Sequence, residues 1–141
     1  MQKFKLKMLV LSMGLALAPS LATAGEHTGK DHTGPYFISP KNGETVSSTF
    51  TVVMGIEAMK VHKAGEIIEG TGHHHLIIDG AYVPEHKAVP ADKQHIHFGK
   101  GQTETEVTLS PGKHTLTLQF ANGIHQSYGK KMSTTIEVNV K

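Results

Sequence analysis

The sequence contains no cysteine, no tryptophan and no arginine, so all 14 of its basic residues are lysines. Without cysteine the chain forms no disulfide, and it has no thiolate for a zinc site, an iron–sulfur cluster or nucleophilic catalysis. Its reactive side chains are therefore imidazoles, carboxylates, amines and thioethers. Histidine is the abundant member of that set, with 11 residues.

Length and composition indicate one folded domain. The chain has 141 residues, of which 38% are hydrophobic and 18% charged, and this composition is typical of a globular protein and not of a disordered one. Enzyme motifs are weak: the Gly99-Lys100-Gly101 string lacks the spacing of a phosphate loop, and neither a Gly-x-Ser-x-Gly elbow nor a His-Glu-x-x-His helix occurs. A metal-activated water with Glu104 or Glu106 as base stays open, but the sequence favours a non-enzymatic protein.

Residues 1–24 have the three parts of a secretory signal peptide. Three lysines (Lys3, Lys5 and Lys7) precede an apolar run over residues 8–18, and Ala22-Thr23-Ala24 forms a small-x-small cleavage site. The run is too short to span a bilayer. We therefore expect an exported, periplasmic protein with no membrane span after the signal is removed.

Removal of the signal changes the charge. The mature chain keeps 11 of the 14 lysines and all 12 acids, so its net charge is −1 instead of +2. The basic character belongs to the signal peptide, and a nucleic-acid partner loses its electrostatic support.

Residues 25–35 (GEHTGKDHTGP) carry no apolar pattern and are predicted to form a flexible arm. If cleavage follows Ala24, the mature chain starts Gly25-Glu26-His27. An amine, two amides and the imidazole of His27 would then give the tetragonal nitrogen set that Cu(II) and Ni(II) prefer. Cleavage after Ala22 would abolish this site.

Residues 36–141 show short apolar alternations broken by Gly, Pro and Asn, which is typical of β-strands. The pattern predicts one all-β domain, an antiparallel two-sheet immunoglobulin-like sandwich of about seven strands. Two long connections, 59–72 and 80–93, are candidates for function. The predicted strands cover residues 36–39, 50–58, 73–79, 94–98, 103–109, 114–121 and 135–140.

Two of these strands concentrate histidine in His-x-His spacing, as His73 with His75 and His95 with His97. Residues two apart on a strand point to one side, about 6.5 Å apart, so two such pairs on neighbouring strands could chelate a metal ion. Imidazole suits copper and zinc, and we expect copper first, as Cu(II), and zinc second. His125, which by itself is more typical of a surface loop, is a possible further ligand.

Other interpretations remain open. A single strand histidine is usually structural, and the apolar run 76–78 leaves the phase of its strand ambiguous, so that His74 is the outward residue in the alternative phase. The histidine-rich face is also consistent with a docking surface for an envelope protein, or with an acid sensor whose imidazoles titrate near pH 6.5.

The strings FISPKNGETVSSTFTV, GTGHHHLIID, HFGKGQTETEVTLSPGKHTLTLQFANG and MSTTIEVNV resemble DUF4399, a domain-of-unknown-function family of small exported bacterial proteins. The resemblance covers most of residues 36–141 and rests chiefly on GTGHHH and HFGKGQTE. It implies a signal peptide followed by one β-rich domain, and it implies no activity.

Overall fold

The computed structural model describes residues 33–141. The predicted signal peptide, most of the predicted arm and His27 lie outside the described residues. The first strand begins at Pro35, at the end of the predicted arm.

The described residues form nine β-strands and one short 3₁₀ turn over Lys130–Met132. Each of the seven predicted strands has a counterpart whose ends agree within two residues. The two strands that were not predicted, the second and the fourth, contain only three and two residues, which is too short for an alternating pattern to be visible. The strands are β1 (Pro35–Ser39), β2 (Glu44–Val46), β3 (Thr49–Ile56), β4 (Lys60–Val61), β5 (Thr71–Ile78), β6 (His95–His97), β7 (Glu104–Thr108), β8 (Gly112–Ala121) and β9 (Ser133–Val140).

The strands make two sheets, which confirms the prediction of an all-β, two-sheet domain. The smaller sheet has the order β1-β3-β7, and the larger has the order β2-β9-β8-β5-β4, with β6 also paired to β5. The prediction of purely antiparallel pairing is wrong at two places, because β2 runs parallel to β9 and β4 runs parallel to β5. Both are short segments of connections that the sequence pattern treats as loops. The immunoglobulin-like class stays a prediction.

The main core combines apolar side chains from both sheets. Val52 and Met54 on β3 meet Leu116 and Leu118 on β8, and all four are fully or almost fully buried. Their alternate spacing along each strand places them on one face, and burying each such side chain contributes about 1.5–3 kcal/mol.

Strand β5 is buried on both faces, which explains its uninterrupted apolar run. Leu76 and Ile78 belong to the main core, whereas Ile77 packs on the other side with Val83 and Val89 from the 80–93 connection. The phase of β5 is therefore the one in which the side chains of His73 and His75 point away from the main core. The 80–93 connection and the loop after β8 cover that outer face.

Candidate metal centre

Four imidazoles meet on the outer face of the larger sheet. His73 and His75 alternate with the core residues of β5, and the antiparallel pairing of β5 with β6 places His97 directly opposite His75. The fourth imidazole is that of His125, from the loop that follows β8. All four belong to the ligand set predicted from the sequence, and together they form a group with the side-chain types to hold a metal ion.

Hydrogen bonds and close packing hold the loop that carries His125 in one conformation. Its Asn122 side-chain carbonyl accepts two backbone N–H bonds within the loop, and His125 itself has a φ of 69°, which is uncommon for a residue with a side chain. A Cβ at Gly123 would lie 1.7 Å from the carbonyl oxygen of Glu66, so only glycine allows this close approach. The N–H of Val89 donates to the His125 carbonyl at 2.9 Å. Contacts from two other loops therefore fix the position of His125.

The ring nitrogens of the four histidines converge. His73 Nε2 lies 3.1 Å from His97 Nε2 and 3.1 Å from His125 Nδ1, and one nitrogen from each of the four rings lies within 4.8 Å of the others. With metal–nitrogen bonds of about 2.0–2.1 Å, a tetrahedral ion separates its ligand nitrogens by about 3.3 Å. Two of the contacts already match that separation.

The protonation of His73 decides what the arrangement can hold. His73 Nε2 lies within hydrogen-bond distance of two other ring nitrogens, and a neutral imidazole has one N–H and one lone pair. With the proton on Nε2, His73 can donate to one of those two nitrogens. With the proton on Nδ1, Nε2 turns its lone pair toward both, and a cation among the three rings would accept the converging lone pairs.

Burial favours the neutral form of His73 and His75. Desolvation, followed by repulsion from the neighbouring histidines when they are charged, lowers the pKa of His73 to about 4 and that of His75 to about 3. The pKa of His97 is lowered for the same reasons, with desolvation first and His125 second. Neutral imidazole is the metal-binding form, so the lone pairs are present at neutral pH.

His95, which was predicted to act together with His97, lies outside the group of four. Its Nδ1 is 2.7 Å from Oδ1 of Asp92, and the same carboxylate oxygen accepts the N–H of Gln94 and of His95 itself. Strand β6 is only three residues long, so His95 stands at its first position, where the preceding turn decides the ring orientation. The structure thus brings together four of the six predicted ligands, and His27 lies outside the described residues.

The middle histidine of the His73-His74-His75 string points to the opposite side of β5. His74 is fully buried, and its ring meets that of Phe120 edge-on at a centroid distance of 5.1 Å. Neither of its ring nitrogens has a partner, and desolvation lowers its pKa to about 4. His74 is separated from the group of four by the sheet itself.

The other polar residues singled out in the sequence lie elsewhere. Glu104 and Glu106 are exposed on β7 of the smaller sheet, so the structure does not bring either of them to the four imidazoles. His114 bonds to Asp79 and to the Ser110 carbonyl, at 2.8 and 2.9 Å. These contacts make His114 a structural residue.

A cavity of about 90 Å³ opens beside the four imidazoles. Sequence spacing does not reveal it, because its outer wall comes from the 80–93 connection, which folds back over β5. The length of that connection was the only sequence signal for it. The cavity is lined by His75, His97, His125, Val89, Pro90 and Ala91.

Within residues 33–141, no helix has the length and apolar character needed to cross a membrane. The sequence model of DUF4399, described as a domain of unknown function, matches residues 52–141. This range includes all four converging histidines. No curated protein and no solved structure matches the chain significantly.

Proposed function

This chain belongs to the DUF4399 family, and we propose that it binds one transition-metal ion, with copper preferred and zinc second. The ligands are His73, His75, His97 and His125. The observation that carries the proposal is the placement of His73 Nε2, which is 3.1 Å from a ring nitrogen of each of two other histidines. Such convergence of imidazole nitrogens, two of them on fully or almost fully buried side chains, is the donor arrangement of a metal site.

The donor set supports copper as Cu(II) before zinc. An all-imidazole set suits both ions, and the general order of affinity for divalent metals places copper above zinc. Cu(I) prefers sulfur ligands, but the chain has no cysteine. Met54, one of the few methionines after the predicted signal peptide, is buried in the main core.

We propose carriage or buffering of the ion in the periplasm as the role. The group of four contains imidazoles and no carboxylate, so it lacks a built-in general base of the kind that metal hydrolases use. The periplasmic location rests on the signal-peptide pattern of residues 1–24.

The test uses a pair of histidines two residues apart on the same strand. His97→Ala removes a member of the group of four, whereas His95→Ala removes a ring held by Asp92. Both changes are made in a His27→Ala background, without an affinity tag, so that the predicted arm site contributes no copper. After dialysis against Cu(II) and, separately, Zn(II), metal per chain is measured by elemental analysis and the unfolding midpoint by calorimetry.

We expect about one equivalent of metal in the parent and in His95→Ala. Changes to groups that only orient a ligand typically cost about 10–100-fold in metal affinity, so loss of a ligand in His97→Ala should weaken binding at least tenfold, measured as a Kd by competition with a chelator. Metal present at 100 times its Kd should stabilise the native state by about 2.7 kcal/mol. Equal metal affinity in the two variants, or no bound metal in the parent, would refute the proposal.

The alternatives make different predictions. An acid sensor that uses these imidazoles would respond between pH 7 and 5, but burial holds the pKa values of His73 and His75 at about 4 and 3, so both stay neutral over that range. A docking face for an envelope protein has partial support from the exposure of His97. It predicts partner binding that is independent of metal and of chelators.

A further inference from the structure

We infer that the bound ion keeps one exchangeable coordination position, which faces the cavity beside His75, His97 and His125 and accepts a small anion such as azide. This inference rests on the proposed metal site. It concerns which ligands reach the ion from solvent, and its test is separate from that of the metal site.

The cavity lies on one side of the four imidazoles only. His73 is fully buried and is not part of the cavity wall, whereas the other three histidines line it. An ion held among the four rings would therefore have His73 behind it and the cavity in front of it. The front is also the side of approach from solvent, because His97 is exposed and His125 partly so.

The ligand nitrogens are more widely spread than in a closed tetrahedral site. They all lie within 4.8 Å of one another, whereas every pair in a closed tetrahedral site lies about 3.3 Å apart. The group of four is therefore more open than a closed cage, and the opening lies on the side of the cavity that His75, His97 and His125 line.

The size of the cavity limits the incoming ligand. Its volume is about 90 Å³, well below the roughly 300–1,000 Å³ of pockets that hold drug-sized ligands. Water, hydroxide or a linear anion of three heavy atoms is small enough for that space, whereas a drug-sized substrate is not.

The opposite wall is mostly apolar. Its three side chains belong to Val89, Pro90 and Ala91, Pro90 has no N–H, and the N–H of Val89 already donates to His125, which leaves the N–H of Ala91 as the backbone donor of these three residues. A ligand in the cavity would therefore be held chiefly by the metal. This favours weakly hydrated anions over strongly hydrated ones such as phosphate, because their desolvation is less costly.

The test is a titration of the Cu(II)-loaded protein with sodium azide, again in the His27→Ala background. Electron paramagnetic resonance and the azide-to-copper charge-transfer absorption report ligand exchange, and elemental analysis after desalting reports retained copper. We expect a saturable change in both spectra with copper content unchanged. Phosphate at the same concentration should leave both spectra unaltered.

A matched pair of substitutions locates the azide. Ala91→Leu adds three carbon atoms at the cavity wall and should weaken azide binding at least tenfold, with copper content as in the parent. Ala81 and Ala91 are both exposed residues of the same connection, but Ala81 does not line the cavity, so Ala81→Leu should have no effect.

The inference and the metal site fail in distinguishable ways. Copper that binds but shows no spectral response to azide, or that azide removes from the protein, overturns the inference alone. An azide response that Ala91→Leu does not alter also overturns it, because the ligand then approaches from elsewhere. Absence of bound copper overturns the proposed function.

Discussion

His73 and His97 are 24 positions apart in the chain, yet their Nε2 atoms lie 3.1 Å apart. The proximity follows from the pairing of β5 with β6, in which His97 stands opposite His75 and hence diagonally across from His73. Diagonal neighbours on adjacent strands are within reach of long or aromatic side chains. The site is therefore built on sheet hydrogen bonds, which fix two of its elements before any ion arrives.

The first prediction concerns the pair formed by Asp79 and His114, whose Oδ2 and Nδ1 atoms lie 2.8 Å apart. The hydrogen bond to Asp79 raises the pKa of His114 above its ordinary value. A histidine with a raised native pKa stabilises the fold fully below pH 6.5, and this contribution is lost as the pH rises through the native pKa. Asp79→Asn should therefore lower the free energy of unfolding more at pH 5 than at pH 9.

The size of this effect is limited, because the Asp79 side chain is 44% exposed, so we expect a pH-dependent difference of less than about 1 kcal/mol. Asparagine suits the left-handed backbone at this position, where φ is 53°. Urea unfolding at the two pH values measures the difference. In a His114→Gln background the same change should cause no pH-dependent loss, and an equal loss in both backgrounds would contradict the assignment.

The second prediction concerns His74, whose two ring nitrogens are buried without partners. Its replacement by leucine removes two unsatisfied polar atoms and keeps an apolar side chain against Phe120. We expect His74→Leu to leave stability unchanged or to raise it by about 1–3 kcal/mol, with metal content unaltered. The same change at His75, on the other face of β5, should abolish metal retention.

Thermal unfolding of the metal-free variants and elemental analysis of the loaded ones check both statements. A His74→Leu protein that unfolds several degrees below the parent would show that its imidazole has partners in solution. Loss of metal in that variant would show that the two faces of β5 are coupled.

The third prediction concerns Gln119, a fully buried residue that joins three segments. Its Oε1 accepts the N–H of Val83 at 3.0 Å, and its Nε2 donates to the carbonyls of Gly129 and Met132, both at 3.1 Å. Gln119→Leu leaves the N–H of Val83 buried and unpaired and removes one partner from each of the two carbonyls, although that of Gly129 keeps the N–H of Met132. Each unpaired buried group costs about 1–3 kcal/mol, so we expect a loss of about 2 kcal/mol or more in urea unfolding.

The matched control is Gln94→Leu, because the side-chain amide of Gln94 makes only a long contact of 3.5 Å with the Ile78 carbonyl. This variant should lie within about 0.5 kcal/mol of the parent, as is usual for surface positions. Similar losses in the two variants would show that the hydrogen bonds of Gln119 carry little of the stability.

The fold was predictable where one face of a strand is polar. In β8, Leu116 and Leu118 alternate with polar residues, and the predicted and observed strands agree. The second face of β8 is buried as well, but its residues Thr117 and Gln119 are polar and hydrogen-bonded. In β5 the second face meets the apolar side chains of Val83 and Val89, so the run Leu76 to Ile78 is apolar throughout and could not decide which histidines point outward. The parallel strands β2 and β4 could not be predicted, because two or three residues are too few to show an alternating pattern.

The group of four was predictable in part for a similar reason. The spacing of His73, His75 and His97 follows from the geometry of a strand, which sequence displays directly. The orientation of His95 depends on its bond to Asp92, and the place of His125 depends on a turn organised by Asn122 and on contacts with distant loops. These contacts depend on the folded structure, and the spacing of residues along the chain does not predict them.

The four histidines come from three segments that are far apart along the chain, and an ion among them would tie those segments together. An ion bound to them would join points up to 52 residues apart in a protein without a single cysteine. Closing loops of that length restricts the unfolded chain much as a disulfide does. The ion would then act as a removable cross-link, and the resistance of the protein to proteolysis should rise when it is loaded and fall when it is not.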